Sequence, residues 1–234
     1  MNDLVSGPTV PDPYIGVWKR TLLRTPKIED TTMQVYWMQT QSWHADIRVP
    51  ANRPAFGGKT GLDQLNRAEL LELAKQQGFC GTTVVDEDIC RWLRRYDFQP
   101  PSGANDIGRM EFETPDRVLE YGVEADYFEI WERLPGSKGM TSALQLSDDP
   151  LTLLLSAGDY VMSVRPRATT LPISPSLASY LDGKNGQILR DALDFEISFG
   201  KRAARGDWRI DLSTLPWKQG IDMTNEVEPI GRRP

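Results

Sequence analysis

Between Gly78 and Arg133 the chain alternates short runs rich in Val, Trp, Tyr and Phe with Gly, Pro, Asp and Asn. The runs read G-F-C-G-T-T-V-V, C-R-W-L-R-R-Y-D-F, D-I-G-R-M-E-F, L-E-Y-G-V and Y-F-E-I-W-E-R-L. β-Branched and aromatic residues suit a pleated, half-buried surface, and the punctuating residues supply tight turns. A stretch of this kind folds as an antiparallel meander.

The same pattern extends outward. Strands are expected at 14–20, Gln34–Thr40 and Trp43–Val49, then at about 79–85, 89–97, 107–113, 117–123 and 126–134. Thr114-Pro115-Asp116 marks a hairpin. One helix is expected near residues 61–77, ended by Gly78 as a helix-terminating glycine, and placed to plug or cap a barrel end. Pro135-Gly136-Ser137-Lys138-Gly139 reads as a linker or domain seam. Beyond it, strands are expected at 151–156, 160–165, 194–201 and 208–212, with a turn near Gly206-Asp207 and a short helix at Ser176–Leu181. The fold class predicted is mainly β: an antiparallel barrel over 14–134, with a second barrel or half-barrel over 140–223 packed on the first.

Charge and cysteine content narrow the function. A net charge of −6 argues against nucleic acid, which needs a basic stripe. Arg91, Arg94 and Arg95 cluster, but acidic neighbours balance them, and the terminal Gly231-Arg232-Arg233-Pro234 reads as a solvated tail. No apolar run approaches the ~20 residues of a membrane helix, and the first residues lack the pattern of a signal peptide. A cytoplasmic protein is expected. Its two cysteines, Cys80 and Cys90, support neither a disulfide framework nor a four-ligand zinc site, and read as buried thiols or a redox pair. No cofactor motif is present, and Gly57-Gly58-Lys59-Thr60 lacks the first glycine of a phosphate-binding loop.

Strand alternation sorts the polar residues. His44, Asp46 and Arg48 share one face of a strand, either a barrel lumen or a wet outer wall. His44 is the sole histidine, which excludes any two-histidine metal site. Arg94, between Trp92 and Tyr96, is placed to hold a carboxylate by bidentate geometry, or to stack on exposed rings. Glu129, Trp131 and Arg133 share another face, and Glu120 with Gly122 and Glu124 a third. Such carboxylates serve as acid and base, or as members of an inner ion pair such as Glu129–Arg48. Seven tryptophans line an aromatic cavity or fill a core.

Several short segments recur in a fixed order: D-I-R-V at 46–49, G-T-T at 81–83, R-W at 91–92, D-I-G at 106–108, L-E-Y-G at 119–122 and Y-F-E-I-W at 127–131. This order resembles a small fungal family of kinase-interacting proteins built from two tandem lipocalin-like barrels. The likeness covers roughly residues 14–134, and Gly16-x-Trp18 is also similar to the calycin superfamily. The chain departs from the family pattern at His44. The resemblance implies a calycin-like (lipocalin-like) barrel and carries no catalytic residues. The leading expectation is therefore a protein that binds a small hydrophobic or amphipathic molecule in a barrel cavity. Its contacts would come from His44, Asp46, Arg48, Trp92, Arg94, Tyr96, Glu129 and Trp131, with no cofactor. The alternatives are a non-catalytic protein-interaction module, with a protein partner or as a homodimer, and a cofactor-free isomerase- or cyclase-type enzyme.

Overall fold

The computed structural model describes residues 2–3, 7–146, 149, 151–203 and 207–223. The first half contains β1 (Asn2–Asp3), β2 (Gly16–Arg24), β3 (Glu29–Asp30), β4 (Gln34–Gln39), β5 (Trp43–Val49) and α1 (Arg67–Leu73). It continues through β6 (Gln77–Asp86), β7 (Ile89–Asp97), β8 (Ile107–Thr114), β9 (Arg117–Gly122) and β10 (Phe128–Arg133). The second half contains β11 (Thr141–Gln145), β12 (Leu153–Ala157), β13 (Tyr160–Arg165), α2 (Leu177–Leu181) and α3 (Gly186–Leu193). It closes with β14 (Glu196–Arg202), β15 (Trp208–Ser213) and β16 (Asp222–Met223).

Strands β2 and β4 to β10 form an up-and-down barrel in which each pairs antiparallel with the next. β10 returns to β2, with Trp131 opposite Arg20 and Arg133 opposite Trp18. Closure removes the free edges of an open sheet, and a barrel of about eight strands has an interior that side chains can fill. The second sheet runs β1-β11-β12-β13-β14-β15-β16, and no pairing joins its two ends among the described residues. Of the two architectures expected for the second half, the described residues thus form an open sheet and not a closed barrel.

The two sheets share one core. Met38, Ala45 and Ile47 on the outer wall of the barrel cluster with Leu155, Met162 and Phe199 of the second sheet. β5 is consequently buried on both faces. Its apolar residues meet the second sheet, and its polar residues point into the lumen.

The helical region is shorter than expected. Residues Leu62–Gln64 make a 3-10 turn, and α1 begins only after Asn66. Asn66 Oδ1 accepts from the Glu69 N–H at 3.1 Å, and Glu69 accepts from the Asn66 N–H at 2.8 Å. That reciprocal cap fixes the start. α1 does not plug the barrel, because Leu70, Leu73 and Ala74 pack into the core between the sheets. Gly78 is not a helix terminator but part of β6, where a Cβ would lie 2.6 Å from the Asp46 carbonyl oxygen and from Ile197 Cδ1. The expected linker is also packed: Ser137 Oγ donates to the Leu134 carbonyl at 2.7 Å, and the Asp159 N–H donates to Gly136 O at 2.8 Å. α2 lies where a short helix was expected; β11 and α3 were not expected, although α3 has a clear apolar face in Leu189, Ala192 and Leu193. The 231–234 tail and Gly206 lie outside the described residues.

Candidate functional site

Four tryptophans fill the barrel. Trp18, Trp37, Trp92 and Trp131 form one buried cluster with Phe79 and Met110. Trp18 stacks on Trp37 with ring centroids 6.1 Å apart, and Trp92 and Trp131 meet Trp37 edge-on at 5.6 and 5.8 Å. Edge and offset arrangements of this kind suit the ring quadrupole. The void left between them is about 10 Å³, bounded by Trp37, Asp46, Arg48, Phe79, Glu120 and Trp131 among others. That is the lower limit for one water molecule. It holds no organic ligand.

Beside the rings sits an ionic network. Arg48 donates twice to Asp46, from Nε at 2.8 Å and Nη2 at 3.2 Å. Arg20 Nη1 donates to Glu129 Oε1 at 2.6 Å, and Arg48 Nη1 lies 3.9 Å from the same oxygen. The expected Arg48–Glu129 proximity is therefore present, with Arg20 as the closer partner. Burial works against the Arg48 charge, but the Asp46 and Glu129 carboxylates outweigh it and raise its pKa. Burial raises Glu129 against the pull of Arg48 and Arg20. Glu120 forms no ion pair among the described residues: burial, then the Glu129 charge, pushes it up to about 8, against a weaker pull from Arg48. Of this carboxyl pair, Glu129 lies against the Arg20 and Arg48 guanidiniums, and Glu120 is the one pushed furthest up.

Glu120 sits where three strands make room for it. A Cβ on Gly108 would lie 2.8 Å from its carboxyl group, so β8 needs glycine there. Tyr127 Oη lies 2.6 Å from Oε1, and Trp131 Nε1 donates to Oε2 at 2.9 Å. Tyr127 Oη–H thus donates to one carboxyl oxygen and the indole N–H, which cannot accept, donates to the other. Glutamine keeps the Trp131 bond at its carbonyl and replaces the other with an amide N–H donated to the Tyr127 oxygen. A carboxyl whose folded pKa is raised stabilises the fold fully below its unfolded value near 4.5 and loses that contribution as pH climbs to about 8. Glu120→Gln is therefore expected to gain stability over the parent by roughly 1.4 kcal/mol per pH unit across that window. Urea unfolding at pH 5 and pH 8 measures it, and a difference independent of pH would show that Glu120 is already ionised.

His44 is fully buried and its pKa is lowered to about 3, by burial first and then by Arg94. Gln39 Nε2 donates to the carbonyls of Thr40 and Trp43, which leaves its Oε1 to accept from Thr83. Thr83 has spent its proton, so its oxygen accepts from His44 Nδ1–H at 3.0 Å. Nε2 is thus unprotonated, and it is buried without a partner. A histidine neutral to this degree is a poor base near pH 7.

The expected common face of Trp92, Arg94 and Tyr96 is broken by a β-bulge. Gly81 pairs with Arg94 but Cys80 pairs with Tyr96, leaving Arg95 as the extra residue. Trp92 faces the lumen, whereas Tyr96 joins the core between the sheets. Arg94 is not free to hold a ligand carboxylate: Nη2 donates to Asp106 at 2.7 Å, Nη1 to Asp97 at 2.8 Å, and the guanidinium lies 3.6 Å over the Phe79 ring. Cys80 and Cys90 lie in different clusters on opposite sides of the barrel wall, both free, with burial raising each thiol. They do not form a redox pair. Among the described residues no group of three or more His, Cys, Asp or Glu is placed to hold a metal ion. No helix among them is long and apolar enough to cross a membrane.

A concavity of about 1230 Å³ lies outside the lumen at one barrel mouth. The arm Pro11–Ile15, the β6–β7 turn at Glu87–Asp88, the strand stretch Met110–Thr114 and the Lys138–Thr141 segment border it. Tyr14 packs edge-on against Phe112 at 5.0 Å, and Met140 is 90% exposed beside them. Sequence reading missed this groove, because its walls come from turns and strand ends far apart in the chain. It also missed Arg20 and Asp106 as members of the lumen network. Alternation from Trp18 would have placed Arg20 inward, but Asp106 precedes β8 and carries no such signal.

An eight-stranded up-and-down barrel with a filled lumen, backed by a second antiparallel sheet, defines the class of structure. A solved structure shares that fold: the crystal structure of the uncharacterized protein YLR301w from Saccharomyces cerevisiae matches with a TM-score of 0.52 at 12% identity, covering 85% of this chain and 84% of that one. No protein-family model and no curated protein matches the chain.

Proposed function

We propose that this protein is a non-catalytic interaction module that recognises a partner protein at the barrel-mouth groove, with the filled barrel as a rigid support. The observation that carries this reading is the contrast between a lumen void of about 10 Å³ and an outer groove of about 1230 Å³. Pockets for small molecules measure about 300–1,000 Å³, so the lumen does not serve as a carrier cavity. Asp46, Arg48, Arg94 and Glu129 bond to one another or to neighbouring side chains. An enzyme using His44 with Glu120 or Glu129 meets the same obstacle, since no substrate reaches them. The resemblance to fungal kinase-interacting proteins agrees with an interaction role.

The test compares proteins captured from the native source by three baits: the parent, Met140→Asp in the groove, and Glu120→Gln in the lumen. A partner retained by the first and third and lost by the second is the expected result. A small molecule that co-purifies with all three in equal amount, with no partner dependent on Met140, would overturn the reading.

A further inference from the structure

We infer that the groove takes an extended segment of the partner protein, bearing Lys or Arg on either side of an apolar residue, added as a strand to the free edge of β8. This rests on the groove being the docking surface.

The free edge follows from strand lengths. The β6–β7 hairpin turns at Glu87–Asp88, with Asp86 opposite Ile89. β7 therefore begins too late to flank the whole of β8. Their register runs from Arg91 opposite Ile107 to Ile89 opposite Arg109 and stops there. β8 itself continues to Thr114, paired with β9 on its other side. The Met110 N–H points toward the hairpin and donates to the Asp88 carbonyl at 2.7 Å. Main-chain groups alternate sides along a strand, so up to the β-bulge between Phe112 and Thr114 the Phe112 N–H lies on the same side as that of Met110, past the end of the hairpin at the groove. Main-chain groups presented in this way are a template for another extended chain.

The walls specify which chain. Met140, 90% exposed, and half-buried Phe112 supply apolar surface over the buried Tyr14 and Met110. Asp12, Glu87 and Asp88 line the groove, are exposed, and form no ion pair among the described residues. Glu113 adds a fourth carboxylate, bonded to Arg117 at 2.6 Å. The two cations of the groove do not neutralise this set. Arg133 donates to the carbonyls of Ile15, Pro13 and Pro115 and pairs with Asp116, and Lys138 pairs with the same Asp116 at 3.2 Å. Alternate side chains of an added strand point in opposite directions. An apolar residue reaching the aromatic wall would thus be flanked by residues reaching the acidic rim.

Fluorescence anisotropy with a labelled, end-capped peptide of alternating lysine and valine tests the inference. Saturable binding is expected. About tenfold or greater weakening is expected when glutamate replaces lysine, when the central amides are N-methylated, and when Glu87→Lys and Asp88→Lys are combined in the protein, each change removing on the order of 1.4 kcal/mol. Equal affinity for the lysine and glutamate peptides, equal affinity after N-methylation, or no binding of the lysine peptide overturns the inference. A groove-dependent homodimer in sedimentation, lost in Met140→Asp, overturns it in favour of a second copy of this chain. If the captured partner still depends on Met140 while the peptide fails, the docking surface stands and the strand-addition mode falls. If both fail, both readings fall.

Discussion

Trp131→Ala is expected to lower the unfolding free energy by about 3–5 kcal/mol, the usual cost of emptying a large aromatic site in a packed core. Trp131 is 2% exposed, meets Trp37 edge-on at 5.8 Å and donates to Glu120 at 2.9 Å. Alanine removes the ring and leaves a buried carboxyl oxygen without its donor, so two penalties combine. Trp131→Phe keeps most of the ring contact and loses the hydrogen bond, which places it at about 1–3 kcal/mol. Urea denaturation of the three proteins measures both steps. Indole added to the alanine variant should restore part of the loss, because an apolar cavity of side-chain size accepts a matching ring. A loss under about 1 kcal/mol for alanine, with no indole effect, would mean that the lumen is open and solvated.

Removing Glu129 is expected to be comparably severe for an electrostatic reason. Glu129 is buried and accepts from Arg20 at 2.6 Å, with Arg48 at 3.9 Å. Glu129→Ala leaves the Arg20 guanidinium, itself buried, with Asp30 at 3.6 Å as its remaining carboxylate among the described residues. Breaking one side of a buried pair costs about 3–5 kcal/mol, whereas replacing both sides by apolar groups is often close to neutral. The double variant Arg20→Met with Glu129→Leu should therefore be more stable than Glu129→Ala alone. Chemical denaturation of the single and double variants provides the comparison. Additive losses would show that the two side chains do not act as a pair.

The ordered segments that resemble the fungal family acquire a physical meaning in this structure. D-I-R contributes Asp46 and Arg48, D-I-G contributes Asp106 and Gly108, L-E-Y-G contributes Glu120, and Y-F-E-I-W contributes Tyr127, Glu129 and Trp131. All converge on one layer of the barrel interior, where an ion-pair network and an indole–carboxyl bond must fit around four tryptophans. Such residues specify how the barrel is filled. Their order along the chain therefore carries the fold.

Local sequence was sufficient for the meander and for the facing of its strands. The alternation in W-H-A-D-I-R-V places His44, Asp46 and Arg48 on one side of β5 whatever surrounds it, because successive side chains of a strand point to opposite faces. The run from Gly78 to Arg133 contains enough apolar alternation and turn residues to specify its hairpins, and these form with nearly the expected bounds. Sequence could not decide which side of β5 faces inward. That depended on the second sheet covering the outer wall, which makes the apolar face the contact between layers and turns the polar face into the lumen. Nor could it place the bulge at Arg95, which sends Tyr96 outward, or the early end of the β7–β8 pairing, which frees the edge of β8. Register and strand pairing are set by packing between segments distant in the chain, so the groove they create exists only in the tertiary structure.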